Sequence, residues 1–261
     1  IKMTKSDIFK NNIKGKNVTV IGIGISNMPL IEFLTSAGAI VTACDAHDAQ
    51  WLGENYKKCE KLGVKTKLGD DYLSDITDDL IFKTPGMRYD IPQLKEAADR
   101  GAKITSEMEV FFQLCPAHII AVTGSDGKTT TTTLINEMLS RAGYKTWLGG
   151  NIGKPLLPEI ESINADDIAV VELSSFQLIS MRKSPDVAVV TNVAPNHLDV
   201  HKDMDEYINA KKNVLSHQNA FSRTVLNDDN DITRGFSQEV RGQHMHFSMK
   251  NPVSNGAWLS D

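Results

Sequence analysis

Apolar and polar positions in the first half of the chain alternate as strand, glycine turn, helix and strand. Residues 18–24, VTVIGIG, form a short β-branched run of the kind a buried parallel strand carries. Residues 28–38, MPLIEFLTSAG, place apolar side chains at helical spacing and stop on Gly38. Residues 39–45, AIVTACD, read as a second strand closing on Asp45. The alternation continues with strand-like KTKLGD at 65–70 and DLIFKTPG at 79–86, then helical IPQLKEAADRG at 91–101 with Pro92 in its first turn. After the strand AKIT, residues 106–114, SEMEVFFQL, open on Ser106 with Glu109 three residues later, a capping-box spacing. Strands that alternate with helices predict an α/β fold built on an open parallel sheet.

A second pattern of the same kind begins at residue 115. The apolar run CPAHIIAVT is followed by GSDGKT and by the helical stretch TTTTLINEMLSRAG, ending at Gly143. Further strands are expected at 167–173 and 186–191, and a helix at 204–218. The pattern thus predicts a Rossmann-like domain over 1–106 and an α/β domain with a phosphate loop over 107–261.

Composition narrows the classes. A chain of 261 residues with 41% apolar and 23% charged positions can bury a core without disulfide or metal staples. The formal net charge is -5 and no basic stripe runs along the sequence, so nucleic acid is not an expected partner. Cys44, Cys59 and Cys115 are scattered without CxxC spacing, which suits structural thiols in a reducing compartment. No signal-peptide pattern and no bilayer-length apolar run is present, and the expectation is a cytoplasmic protein that avoids membranes.

The first glycine turn has an incomplete dinucleotide fingerprint. Gly22 and Gly24 occupy its first two positions, and Asp45 lies where an acid would reach a ribose hydroxyl, but Asn27 stands at the third position. NAD binding, a purely structural turn, and a different nucleotide or sugar phosphate in the same crevice all fit these residues. TPG at 84–86 follows a strand end, where open α/β sheets place ligands; an ordinary proline turn would read the same.

The second turn is more specific. Strand, glycine loop and helix form the setting of a phosphate loop, with backbone N–H groups and a helix N-terminus facing the anion. Lys128 can reach β and γ phosphates, and the Thr129 hydroxyl can ligate Mg²⁺. The general pattern GxxxxGK(S/T) would require a glycine at Val122, so this TGxxGKT is a shortened form. Downstream, ELSSFQL puts Glu172 at a strand end, a position from which a carboxylate serves a nucleotide-bound Mg²⁺. His197 follows the next strand and is equally readable as an ordinary loop histidine. The spacing of His197 and His201 does not make a zincin, because Pro195 intervenes and the HExxH glutamate is missing. His244 and His246 share one face of a strand and read as surface or packing residues. Lys211 on the 204–218 helix is, by itself, a solvated lysine.

Taken in order, TGSDGKTT, GGNIGKPL, ELSSFQL, TNVAPNHLDVH and YINAKKNV resemble the Mur ligases, a family of ATP-dependent amide-bond ligases related to folylpolyglutamate synthases. GIGISN and TPG extend the resemblance through the first domain, and ELSSFQL points to the member that adds D-glutamate. The resemblance implies ATP bound by Gly124, Ser125, Asp126, Gly127, Lys128, Thr129 and Thr130. It implies two Mg²⁺ ions, with Thr129 and Glu172 at the first and His197 at the second. Lys211 would carry a CO₂-derived carbamate that supports the metal site, with Lys212 as the neighbouring register. UDP-N-acetylmuramoyl-L-alanine would meet Ile25, Ser26, Asp45, Ala46, His47, Thr84, Pro85, Gly86, Asn151 and Ser174. The catalytic set would be Lys128, Glu172, His197 and Lys211, with D-glutamate as the second substrate and a monomer as the assembly. The family is expected to continue into residues that grip adenine and a third domain for D-glutamate. The expectation for these 261 residues is therefore binding without ligation. Another ligase of the superfamily, a UDP-sugar-binding module and a dinucleotide oxidoreductase are the competing readings.

Overall fold

A computed structural model of the chain describes residues 3–196 and 200–260. By contacts the chain divides into two units, one running to Leu114 and including Pro155–Ser162, the other formed by Cys115–Lys154 and the residues from Ile163 onward. The sequence pattern places the boundary near residue 106; by contacts the helix Glu107–Leu114 groups with the first unit.

The first unit contains α1 (Lys5–Ile13), β1 (Asn17–Ile21), α2 (Met28–Ser36), β2 (Ile40–Asp45), α3 (Ala49–Leu52), α4 (Glu54–Lys61), β3 (Lys65–Leu68), β4 (Leu80–Phe82), α5 (Pro92–Asp99), β5 (Lys103–Thr105) and α6 (Glu107–Leu114). Its sheet has the order β3-β2-β1-β4-β5 and is parallel throughout. Pro92 opens α5, where its missing N–H costs no hydrogen bond. Ser106 starts α6 as read: the Glu109 N–H donates to its Oγ at 3.2 Å. The Glu109 carboxylate also accepts from the Thr105 hydroxyl. The Leu157 N–H donates to the Glu107 carboxylate at 2.6 Å, which ties the 3-10 turn Leu157–Ser162 to this unit. Ile21, Cys44, Ile81, Leu94 and Ala97 form an apolar cluster beneath α5.

The second unit contains β6 (His118–Thr123), α7 (Lys128–Arg141), β7 (Thr146–Gly150), β8 (Ile168–Glu172), α8 (Ser175–Leu178), β9 (Val187–Val190), α9 (Met204–Ser216), β10 (Arg223–Asn227), α10 (Asp231–Gly235), β11 (Gln243–Ser248) and β12 (Gly256–Trp258). The sheet order is β12-β11-β10-β9-β6-β8-β7, again parallel. Ala169, Val170 and Val171 of β8 are fully buried, as both faces of a covered parallel strand require. The strand following β6 along the chain lies to one side of it and β9 to the other, so the C-terminal ends of β6, β8 and β9 border a topological switch point. Among the described residues no helix is long and apolar enough to cross a membrane.

The end of β7 is held close to the end of β8. Gly150 has φ +97°, and a Cβ there would lie 2.2 Å from the Glu172 carbonyl oxygen. Gly143 has nearly the same φ, +94°, with open space around it. Gly143→Ala is expected to cost about 1–2 kcal/mol from backbone strain alone. Gly150→Ala is expected to cost about 2 kcal/mol more, because backbone must move. Urea unfolding of the two variants measures the difference, and equal losses would show that close approach does not require Gly150.

Candidate functional site

The loop joining β6 to α7 is held by residues of its own unit. Gly124 has φ +154°, and a Cβ there would fall 1.9 Å from Thr191 Oγ1 and 3.1 Å from backbone atoms of Asn192. The loop therefore lies directly on the segment that follows β9. Ser125 N–H donates to the Asn192 backbone carbonyl at 2.9 Å and to Asn192 Oδ1 at 3.0 Å. Asp126 N–H donates to the same Oδ1 at 2.8 Å. The Thr191 hydroxyl donates to the Asp126 carbonyl at 2.6 Å. The Ser125 hydroxyl contacts the Ala194 carbonyl and N–H and the Tyr207 hydroxyl, each at 2.9 Å. Gly127, at φ +74°, turns the chain into α7, whose first N–H groups have no partner within the helix.

Two side chains from α7 and one from β8 meet beside this loop. Lys128 Nζ donates back to the Ser125 carbonyl at 2.9 Å. The Thr129 hydroxyl donates to Glu172 Oε2 at 2.7 Å, and Asn151 Nδ2 donates to Glu172 Oε1 at 2.8 Å. Glu172 is 1% exposed, yet each carboxylate oxygen has a donor. A hydroxyl and a carboxylate at this separation are hard oxygen donors of the type Mg²⁺ takes, and the residues present fit that ion. Ser174, next along the chain, caps α8: the Gln177 N–H donates to its Oγ at 3.3 Å.

Lys211 reaches the loop from α9. It is 2% exposed, donates to the Gly124 carbonyl at 2.7 Å, and its Nζ lies 4.7 Å from the centre of the Tyr207 ring. Burial, reinforced by the positive charge of Lys128, pushes its pKa down to about 7. Lys212 instead pairs with Glu239 at 2.8 Å, so of the two neighbouring lysines Lys211 faces the loop. His197 lies outside the described residues. His201 is 3% exposed, contacts Ser175 Oγ at 2.9 Å, and stacks on Phe176 at 5.2 Å, a packing arrangement rather than a surface one.

In the first unit, the residues expected to meet the UDP substrate follow the C-terminal ends of β1, β2 and β4. Asp45 Oδ2 accepts from the Ile23 N–H at 2.7 Å, and its Oδ1 from the His47 N–H at 2.9 Å. Burial works against this carboxylate's charge, but those donors and the His47 ring outweigh it and hold the pKa below the ordinary value. The His47 ring stacks on Trp51 at 3.6 Å. Ile25 is 90% exposed at the crest of the glycine turn, and Ser26 and Ala46 are exposed beside it. Thr84 lies across from Gly22, whose added Cβ would meet the Thr84 side chain at 3.4 Å; Pro85 and Gly86 continue that rim. Asn27, the departure from the dinucleotide pattern, is 5% exposed and donates through Nδ2 to the Ile21 and Gly22 carbonyls. Its amide does by hydrogen bonding what a third glycine would do by close packing.

Sequence reasoning missed three polar residues here. Asn192 and Tyr207 sat inside the quoted stretches TNVAPNHLDVH and YINAKKNV but drew no attention, because neither carries a charge at neutral pH. Lys83 is 2% exposed, its amine has no hydrogen-bond partner among the described residues, and burial pushes its pKa down to about 8. Its signal was a lone charge ending an otherwise apolar strand, LIF.

Residues 122–259 match the family description Mur ligase middle domain, and residues 16–106 match Mur ligase MurD-like, N-terminal domain. The chain is 56% identical over 259 residues to the UDP-N-acetylmuramoylalanine--D-glutamate ligase of Acetivibrio thermocellus, covering 99% of this chain and 56% of that protein. It is 53% identical to the protein of the same name from Ruminiclostridium cellulolyticum, covering 97% of this chain and 54% of that one. The chain thus spans little more than half the length of these curated relatives. Among solved structures, the UDP-N-acetylmuramate:L-alanyl-gamma-D-glutamyl-meso-diaminopimelate ligase from Neisseria meningitides is similar with a TM-score of 0.60 at 17% identity, covering 92% of this chain and 82% of that one. The UDP-N-acetylmuramate-alanine ligase from Thermotoga maritima gives 0.52 at 22%, covering 90% and 53%. At these identities the structural likeness speaks for the fold.

The buried amine of Lys211 makes stability depend on pH in a definite direction. Its folded pKa, about 7, lies below the unfolded value of 10.5, so the unfolded chain binds more protons between them. Stability from this group rises as pH climbs through that window, and the penalty is fully present below it. In CO₂-free buffer, Lys211→Met is expected to remove a rise of up to about 1.4 kcal/mol per pH unit above neutral. Urea unfolding of both proteins across that range reads the difference, and parallel pH profiles would contradict the burial of a neutral amine.

Proposed function

The chain belongs to the Mur ligase family, and on that premise we propose that it is the nucleotide- and UDP-substrate-binding part of an ATP-dependent ligase. The whole protein joins D-glutamate to UDP-N-acetylmuramoyl-L-alanine in building the peptidoglycan precursor, in the cytoplasm. The observation that carries this reading is the Thr129–Glu172 contact of 2.7 Å beside Lys128 at the start of α7. It joins a phosphate loop to the acid that a magnesium-bound nucleotide needs. The identity of 56% to a D-glutamate ligase supports the choice of substrate.

In this reading the loop from Gly124 to Thr130 cradles the ATP phosphates, and Lys128 swings from the Ser125 carbonyl to the γ phosphate. Thr129 and Glu172 would hold the first Mg²⁺, and His197 with carbamylated Lys211 would serve a second; when bound, these ions would neutralise charge on the transferring phosphoryl group. The L-alanine carboxylate attacks the γ phosphorus, ADP leaves, and an acyl phosphate results. The D-glutamate amine then attacks the acyl carbon and inorganic phosphate departs. Asn151 and Ser174 orient the muramoyl-alanine arm. In the first unit, Ile25, Ser26, Asp45–His47 and Thr84–Gly86 line the UDP crevice.

The carbamate follows from the state of Lys211. With a pKa of about 7, roughly half of its amine is neutral at neutral pH, and only a neutral amine attacks CO₂. The neutral nitrogen bonds the CO₂ carbon and releases one proton, so that a neutral amine facing Lys128 becomes an anion.

Calorimetry of ATP and of UDP-N-acetylmuramoyl-L-alanine with the 261-residue chain tests the binding reading. Lys128→Ala is expected to weaken ATP at least about 100-fold and to leave the UDP ligand unchanged, the loss of a charge-assisted phosphate contact. ATP binding near that of the original chain would refute the role of Lys128. Carbon-13 NMR under labelled CO₂ is expected to give one carbamate signal that Lys211→Ala removes. In the whole protein, that variant should lose turnover and recover part of it with added short-chain carboxylic acids. A signal that survives the substitution would place the carbamate elsewhere.

A further inference from the structure

The phosphate loop is two residues shorter between its glycines than the general GxxxxGK pattern, and a side chain from the segment after β9 braces it. Asn192 Oδ1 accepts from the N–H groups of both Ser125 and Asp126, at 3.0 and 2.8 Å. Both partners are donors, so the network itself fixes which end of the amide is oxygen. In phosphate loops generally, such early amides converge on phosphate oxygen. Here they converge on a neutral carbonyl of the protein.

The remaining groups of Ser125 and Asp126 are committed in the same way. The Ser125 hydroxyl is shared among Ala194 and Tyr207, and the Asp126 carbonyl accepts from Thr191. The supporting segment is itself anchored from β10 and the turn after it: Asn227 Nδ2 donates to the Thr191 carbonyl at 2.8 Å and Asn230 Nδ2 to the Val193 carbonyl at 3.1 Å. The first N–H groups of α7, by contrast, have no intrahelical acceptor.

We infer that Asn192 is a positioning residue for the nucleotide, and that the loop divides its amides into two sets. Ser125 and Asp126 are held by Asn192 and shape the loop. Gly127 and the first turn of α7, Lys128 to Thr130, supply the N–H groups that bind the polyphosphate. This inference rests on the phosphate-loop reading and narrows it, since Ser125 and Asp126 then belong to the nucleotide site as framework rather than as phosphate donors.

Residue-resolved amide hydrogen exchange and ATP calorimetry on the 261-residue chain test it. In the original chain, the Ser125 and Asp126 amides should exchange slowly before ATP is added and change less than threefold on saturation. Gly127 to Thr130 should slow at least tenfold with ATP. Asn192→Ala should release the Asp126 amide, while Ser125 N–H keeps the backbone carbonyl at position 192, and should weaken ATP at least tenfold while leaving the UDP ligand unchanged. Asn192→Asp keeps an acceptor of the same shape, so those two amides should stay protected. Its negative charge beside the phosphates should still weaken ATP at least tenfold, and ADP by less. Asn192→Asp also keeps the test decisive if the alanine variant does not fold. Protection of Ser125 and Asp126 that appears only with ATP would overturn the inference, as would either variant binding ATP within threefold of the original. If the original chain binds no ATP, the phosphate-loop reading itself fails and takes this one with it.

Discussion

The second unit depends on how closely the ends of four parallel strands approach one another. Gly124 after β6 lies against Thr191 and Asn192 after β9, and Gly150 at the end of β7 lies against the Glu172 carbonyl at the end of β8. Side chains could not enter at either glycine without moving backbone. This crowding brings the Glu172 carboxylate within hydrogen-bonding distance of Thr129 on α7, although 43 residues separate them along the chain. A parallel sheet sets strand spacing, but the glycines let the loops at its edge close to a reactive distance.

Close approach has an electrostatic cost that the unit carries in Lys211. A buried ammonium facing Lys128 is unfavourable, and the chain accommodates it by holding the amine against the Gly124 carbonyl and the Tyr207 ring and by lowering its pKa to about 7. A purely structural position would be filled at less cost by an apolar side chain. Glu172 shows the opposite solution to the same burial, since donors from Thr129 and Asn151 reach both of its oxygens.

Much of this was legible in the sequence because it depends on local pattern. Strand, glycine turn and helix were readable at 18–38 and 118–141, and Glu172 at a strand end followed from the apolar run before it. The pairing of Lys211 with the Gly124 carbonyl was not readable from the residues alone. It spans 87 positions, and on its helix Lys211 differs from Lys212 only in the face it occupies. Periodicity marks which face of a helix is apolar, but a lysine on that face contradicts the pattern and passes for solvent-exposed until packing is known. Asn192, Tyr207 and Lys83 escaped for a related reason: their roles are contacts across strands, which no local spacing records. His197 was legible only as a loop histidine, and it lies outside the described residues.

The two glycine turns also differ in a way that follows from which backbone groups each asparagine engages. In the first unit, Asn27 donates through Nδ2 to the carbonyls of Ile21 and Gly22. It therefore consumes acceptors, while the turn's donors are met elsewhere: Ile23 N–H goes to Asp45, and the Asn27 and Met28 N–H groups go to the Gly24 carbonyl. In the second unit, Asn192 turns its carbonyl toward the loop and consumes donors. The first turn carries no lysine of its own. The second gives up two amides to hold its shape, and the cation that a triphosphate requires is supplied at the next position by Lys128. An asparagine can serve either turn because its amide carries a donor and an acceptor on one rigid plane. The local backbone decides which end is used, and with it the charge that the loop must add.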